Sequence, residues 1–166
     1  FTINGFNSLG ILSKNVCRPF DADRDGLNLG EGAASVMLTK DENIPVLCEM
    51  LSCETASDAY HQTATSPDAQ GPTLAMKAAL KKAGVDADKI SYVNAHGTAT
   101  PNNDESESTA MVNVFGEKVP PFSSTKFWTG HTLGACGVLE LALSAEMLKR
   151  QQILPTRNFE KVERLT

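Results

Sequence analysis

The sequence predicts an α/β protein whose helices pack on a layered sheet. Three observations carry this expectation. Short runs of apolar and β-branched residues alternate with helical patterns through the second half of the chain, the order that builds strand–helix layers. Glycines stand where those helical patterns stop, at Gly84 and Gly116, the residue best suited to a helix C-terminus. Finally, 166 residues with 41% apolar and 21% charged side chains suit one ordered domain built round a single core.

The elements follow in chain order. Phe6 to Ser13 reads as a short helix end, and Pro19 in Cys17-Arg18-Pro19-Phe20-Asp21 stops any helix there. Gly30 to Lys40, with Ala33, Ala34, Val36, Met37 and Leu38, reads as a buried strand, and Pro45 to Thr55 as a second one. Asp41-Glu42-Asn43 between them suits a turn. The polar stretch Asp58 to Gln70 is a loop. Pro72 opens a helix at a position that Pro tolerates, with Leu74, Ala75, Ala78 and Ala79 on its apolar face and Gly84 as its cap. Ile90 to Asn94 is a short strand leading into Ala95-His96-Gly97-Thr98. Asp104 is the expected N-cap of the next helix, with Glu105 and Glu107 in a first turn that favours carboxylates. Ala110, Met111, Val114 and Phe115 form its core stripe. Phe122 to Thr125 is another strand, and Leu133 to Gln151 a long helix with Val138, Leu141, Ala142, Ala145 and Leu148 at helical spacing.

Composition narrows the function classes. The net charge of −5 and the lack of a Lys/Arg cluster argue against nucleic acid. No apolar run approaches the length of a membrane span, and no signal peptide opens the chain. The four cysteines, Cys17, Cys48, Cys53 and Cys136, form no C-x-x-C pair, so they read as reduced, mostly buried thiols of a cytoplasmic protein. Asp21-Ala22-Asp23-Arg24-Asp25-Gly26 matches the opening of a calcium loop, but that template needs a Glu at its twelfth position. Gly32 stands there, and Arg24 puts a cation among the ligands. A tight turn is the expected structure.

Two histidines lie just past strands. His96 sits in Asn94-Ala95-His96-Gly97-Thr98-Ala99-Thr100, and His131 in Ser124-Thr125-Lys126-Phe127-Trp128-Thr129-Gly130-His131. Strand ends are where ligands gather in α/β folds. A helix start after His131 would favour a neutral imidazole. Three readings stay open on chemistry alone: two neutral donors polarising one carbonyl oxygen, two structural histidines, or a metal site completed by Asp104, Glu105 or Glu107.

Taken together, five stretches resemble the beta-ketoacyl-acyl-carrier-protein synthases, the condensing enzymes of fatty acid and polyketide synthesis. They are Arg18-Pro19-Phe20-Asp21 through Arg24-Asp25-Gly26 to Gly30-Glu31-Gly32-Ala33; Asp58-Ala59-Tyr60-His61; Asn94 to Pro101 with Asp104 and Glu107; Ser124-Thr125-Lys126 with Gly130-His131; and Leu133-Gly134-Ala135 through Gly137 to Glu140. The likeness runs from about Phe6 to Glu160, and its most specific part is H-G-T-x-T followed by S-T-K-x-x-x-G-H.

The resemblance implies a thiolase-like fold of two similar halves, of which residues 1–166 look like the C-terminal one. It implies decarboxylative condensation of an acyl thioester with malonyl-carrier protein, with His96 and His131 as the catalytic histidines. Lys126 and Glu140 are the implied ion pair that orients them, and Thr98 and Thr100 the hydroxyls that meet the pantetheine arm. His61 is carried over as a substrate-loop residue beside the acyl pocket. No metal and no separate cofactor are implied, since substrates ride on the phosphopantetheine of acyl carrier protein. The implied partners are that carrier protein, the chain's own N-terminal half and a second copy in a homodimer. None of the four cysteines has the family's nucleophile context, and the family's late Gly-rich segment does not follow; a chain truncated at both ends and inactive by itself is the expectation. A non-catalytic partner subunit that sets chain length is the alternative. Asn102-Asn103 replaces the usual Gly before Asp104, Phe127-Trp128 is bulkier than the common pair, and Cys136 stands where Ala is usual.

Overall fold

The computed structural model describes residues 1–61 and 64–162. Its first helix, α1 (Thr2–Ser8), lies earlier than the sequence predicts. Gly10 takes φ +66° and donates its N–H to Asn7, ending the helix before residue 13. The chain then doubles back. Leu12 bridges Leu27, with the Ser13 N–H on Leu27 O at 2.9 Å and the Leu27 N–H on Ile11 O at 2.9 Å. Gly26, at φ +150°, allows this approach, because a Cβ there would lie 2.6 Å from Ile11 O.

The turn at Asp21 is tied down from inside. Its side chain is fully buried and accepts N–H bonds from Asp23 (2.9 Å), Glu160 (2.7 Å) and Lys161 (2.8 Å). Burial alone would raise this carboxyl, yet the three amides hold it below the usual carboxylate range. Its oxygens already have partners, and the Arg24 guanidinium bonds the Asp21 carbonyl at 3.0 Å. The arrangement is a backbone clamp.

The two strands expected over residues 30–40 and 45–55 do not form. Among the described residues no ladder runs through either segment. Val36, Met37, Leu38, Val46, Leu47, Met50 and Leu51 are 42–75% exposed. Apolar, β-branched residues favour a strand only when a neighbour satisfies their backbone groups; here pairing stops at the single Leu29–His131 bridge. The turn between the segments is as expected, with the Ile44 N–H on Asp41 O at 3.2 Å. The loop from Asp58 runs to Ala69, and its residues 62–63 lie outside the described set.

Helix α2 (Gln70–Ala83) starts two residues before Pro72, after Ala69 in a left-handed conformation. Pro72 is therefore the third helical residue, still within the first turn, where an N–H has no partner inside the helix. Gly84 caps it as expected, at φ 65°. Strand β1 is only Val93–Asn94. Helix α3 runs Pro101–Phe115, with Thr100 as N-cap and Pro at its first position. Asp104 is thus not the cap. The fixed φ of Pro101 starts the helix earlier, and Asp104 lies buried within the first turn. Ala110 and Met111 are buried as expected, Val114 and Phe115 half-buried, and Gly116 ends the helix.

Strand β2 (Phe122–Ser123), shorter than expected, pairs parallel to β1, with Val93 opposite Phe122 and Asn94 opposite Ser123. A four-residue helix, α4 (Lys126–Thr129), follows. The long expected helix divides into a 3-10 turn at Leu133–Ala135 and α5 (Cys136–Arg150). No described helix is long and apolar enough to cross a membrane. All four cysteines are free; Cys17 and Cys136 are buried, Cys48 is half-buried and Cys53 exposed, so burial holds for two of the four.

The core mixes small apolar residues with buried polar ones, among them Asp21, Asp104, Ser124, Thr125 and Lys126. Asp21→Ala is expected to cost about 2–3 kcal/mol in urea unfolding, since it strands buried amides. A loss below about 0.5 kcal/mol, the size of an ordinary surface substitution, would overturn its role as a clamp.

Candidate active site

The parallel pair β1–β2 delivers two chain segments to one place. Beyond β1 the chain gives His96 and Gly97; beyond β2 it gives Ser124, Thr125 and Lys126. Gly97 is needed where they meet. It sits at φ +42°, and a Cβ would lie 2.5 Å from Ser124 Cβ and 2.7 Å from Phe20 Cε2. The Ser124 hydroxyl donates to Gly97 O at 2.7 Å, locking the crossing.

Lys126 is 1% exposed. Its ammonium donates to His96 Nδ1 at 3.2 Å, to His96 O at 2.6 Å and to Glu140 Oε1 on α5. An ammonium has no acceptor capacity, so His96 Nδ1 must accept and the ring proton sits on Nε2. At His131, Nδ1 accepts the Leu133 N–H at 3.3 Å, which again places the proton on Nε2. The two rings meet edge to face, centroids 5.1 Å apart at 85°. The site therefore holds two neighbouring imidazoles, each offering one Nε2–H.

Both imidazoles are held neutral. His96 keeps solvent access, yet the protein around it removes enough water to drive its pKa down to about 3, helped by the Lys126 charge and then by His131. His131 is pushed down by burial and by Lys126, against an upward pull from Glu140. The sequence position of His131 suggests a helix start as the source of this neutrality. The structure gives another cause, because α5 begins only at Cys136 and the 3-10 turn intervenes.

His131 is fixed through its backbone. Its N–H bonds Asn28 O at 2.8 Å and its carbonyl accepts the Gly30 N–H at 3.1 Å. The approach requires glycine on one side at least: a Cβ on Gly30 would lie 1.9 Å from Thr129 O. His96 is fixed by Glu107, whose carboxylate accepts the N–H groups of His96 (2.7 Å) and Gly97 (2.8 Å). Asp104 does the same for Phe20 (2.7 Å) and Ala99 (3.2 Å). Burial pushes both carboxyls above their usual range, against the pull of these amides.

Sequence reasoning assigned Glu107 to the helix dipole and so missed its grip on His96. The available signal was its i,i+3 spacing from Asp104, which puts both acids on one helical face. Asn94 was missed as well; its amide donates to Glu140 O (3.2 Å) and Ser144 Oγ (2.9 Å), anchoring α5 to β1. Thr98 is buried and its hydroxyl bonds that of Thr100 at 2.8 Å. His61 lies exposed on the loop, next to the undescribed residues. Trp128 stacks edge-on with Phe127 and carries Arg157 over its face at 4.8 Å.

Ligand atoms of His96, Cys136 and Glu140 lie within 4.8 Å of one another, a spacing a metal could use. The Lys126 ammonium already occupies that place, bonded to two of the three. The sequence's other candidate ligands fit no better, since Asp104 and Glu107 hold backbone amides and Glu105 is exposed.

The neutral imidazoles carry a proton linkage. Unfolded His96 takes up a proton near pH 6.5, while the folded group resists until about 3. Between those values the unfolded state binds more protons, so acid favours unfolding; the contribution is complete above pH 6.5 and fades as pH falls. The urea midpoint of the chain is expected to drop more steeply over this window than that of His96→Asn, whose amide oxygen can still accept from Lys126. Parallel curves would overturn the assignment.

Known proteins share this arrangement of sequence and fold. Residues 47–160 match the family model of the beta-ketoacyl synthase C-terminal domain, and residues 1–43 that of the N-terminal domain. The 3-oxoacyl-[acyl-carrier-protein] synthase 2 of Staphylococcus aureus is 41% identical over 166 aligned positions, covering 93% of this chain and 41% of that protein. A beta-ketoacyl synthase structure from Burkholderia phymatum STM815 superposes with a TM-score of 0.86 at 38% identity, over 97% of this chain and 41% of that one. A complex of a type II PKS acyl-carrier protein with its ketosynthase gives 0.88 at 28% identity, over 98% and 43%. The chain thus spans about two fifths of the length of the relatives it matches, its fold is the thiolase-like fold of the ketosynthases, and it belongs to the beta-ketoacyl synthase family.

Proposed function

We propose that this chain supplies the paired histidines of a beta-ketoacyl-acyl-carrier-protein synthase, which condenses an acyl thioester with malonyl-carrier protein in fatty acid or polyketide synthesis. The observation that carries it is the donor facing Nδ1 of each ring, Lys126 Nζ at His96 and the Leu133 N–H at His131. Both rings have Nδ1 engaged, both are neutral, and both present Nε2–H at the end of a parallel strand pair. Two such donors can hold the thioester oxygen of the malonyl group. When its carboxyl–carbon bond breaks, carbon dioxide leaves and the electron pair moves onto that oxygen as an enolate. Donors fixed in advance stabilise the new charge without reorganising. Neutral rings hold their protons through the step, and the Lys126 cation nearby strengthens them as donors.

The enolate carbon then attacks an acyl group held as a thioester on a cysteine. Cys17 and Cys136 do not fit that role, since both are buried and burial raises their thiols; Cys48 and Cys53 lie on the mostly exposed 45–55 segment. We therefore place the acylated cysteine outside these 166 residues. Thr98 and Thr100 would meet the pantetheine arm, His61 the acyl pocket, and acyl carrier protein would deliver both substrates with no further cofactor or metal. A homodimer is the assembly we propose for the full-length protein. The intact Lys126–His96–Glu140 network speaks against a purely structural chain-length subunit, which has no need of neutral donors.

In the full-length protein, His96→Ala and His131→Ala are each expected to slow malonyl decarboxylation on the order of 10²- to 10³-fold while leaving acyl loading intact; full decarboxylation in either variant would overturn the assignment. The 166-residue chain alone is expected to give no condensation product, and turnover by it would refute the placement of the nucleophile elsewhere.

A further inference from the structure

Glu140 Oε1 carries two donors. One is the Lys126 ammonium; the other is the Cys136 thiol, whose Sγ lies 3.1 Å away. Cys136 is the first residue of α5 and Glu140 the fifth, so one helical turn brings the two side chains to the same face. Cys136 is 6% exposed, which keeps competing water from the contact. We propose that Cys136 is a positioning residue: its thiol proton holds one oxygen of Glu140 and so sets how strongly Glu140 and Lys126 act on the two imidazoles.

The chemistry is self-consistent. Burial raises the thiol and its bond to Glu140 raises it further, against a downward pull from the Lys126 ammonium; the net shift is upward, so at neutral pH the sulfur keeps the proton it donates. A donated proton offsets part of the carboxylate charge. With the thiol present, Glu140 pulls less on the Lys126 ammonium and projects less negative potential onto His131. The charged and titratable groups around His131 are Lys126, Glu140 and the neighbouring His96. Of these, Glu140 raises the His131 pKa and Lys126 lowers it. Removing the thiol should therefore let His131 take up its proton at higher pH. The inference holds whatever substrate the pair serves, because its readouts are a titration and a thiol reaction in this chain.

The test is an NMR titration of the imidazole resonances of the full-length protein, with His131 identified by the resonance that His131→Gln removes. Cys136→Ala is expected to move the His131 midpoint up by about 0.3 pH unit or more, the direction in which a less shielded carboxylate acts. Cys136→Ser, which keeps a donor, should stay closer to the original value. A second measurement does not need the Ala variant to fold. In Glu140→Gln, alkylation of Cys136 followed by mass spectrometry should accelerate several-fold relative to the unsubstituted protein, with urea unfolding of both forms reporting any general loosening. Identical His131 midpoints in all forms, or an unchanged Cys136 alkylation rate in Glu140→Gln, would overturn the proposal.

Discussion

A buried ammonium organises this molecule. Lys126 is almost wholly removed from water, and an unpaired charge in that setting would cost several kcal/mol. The chain answers with acceptors from two directions: His96 through its ring and its carbonyl, and Glu140 through its carboxylate. Satisfying the cation fixes the tautomer of His96, helps burial keep both imidazoles neutral and pins α5 against the end of β1. The same contacts that make the charge tolerable therefore define the site.

The rest of the framework uses carboxylates in a parallel way. Asp21, Asp104 and Glu107 direct their oxygens at backbone N–H groups of other segments. Asp21 joins an early turn to residues 160–161, Asp104 reaches Phe20, and Glu107 cradles the strand end at His96. Charge-assisted bonds of this kind are stronger than neutral ones, and they support a core in which alanine and cysteine outnumber the larger Leu27, Met111 and Met147. Order around the histidines thus comes from directed polar contacts more than from apolar mass.

Much of this was legible in the residues. The two histidines after short strands, the lysine before His131 and the acid on the last helix came together as their motifs implied. The turn at Asp21 was legible from Gly26 and from the short acidic side chains around it. What stayed hidden depends on distance along the chain. Strand readings at residues 30–40 and 45–55 came from apolar content, and no sequence window shows whether a ladder partner is present. Asp104 looked like a cap because local rules know nothing of Phe20, 84 residues away. Glu107 and Asn94 act on backbone or on distant helices, contacts without a periodic signature. The role of Cys136 was invisible as a cysteine pattern, since its partner is a carboxylate one turn away.

The two-residue parallel pairing has a consequence for tolerance to error. Sliding β2 by one residue along β1 would move Lys126 by about 3.3 Å, farther than the whole slack of a hydrogen bond, and would turn the buried Ser123 side chain to the opposite face. No intermediate offset satisfies both the ladder and the ammonium. The site is in that sense digital: the register is right and the imidazoles are set, or it is wrong and they are lost together. Small insertions upstream of β2 can be absorbed by the loop after Gly116, whereas a single insertion between Phe122 and Lys126 has nowhere to go.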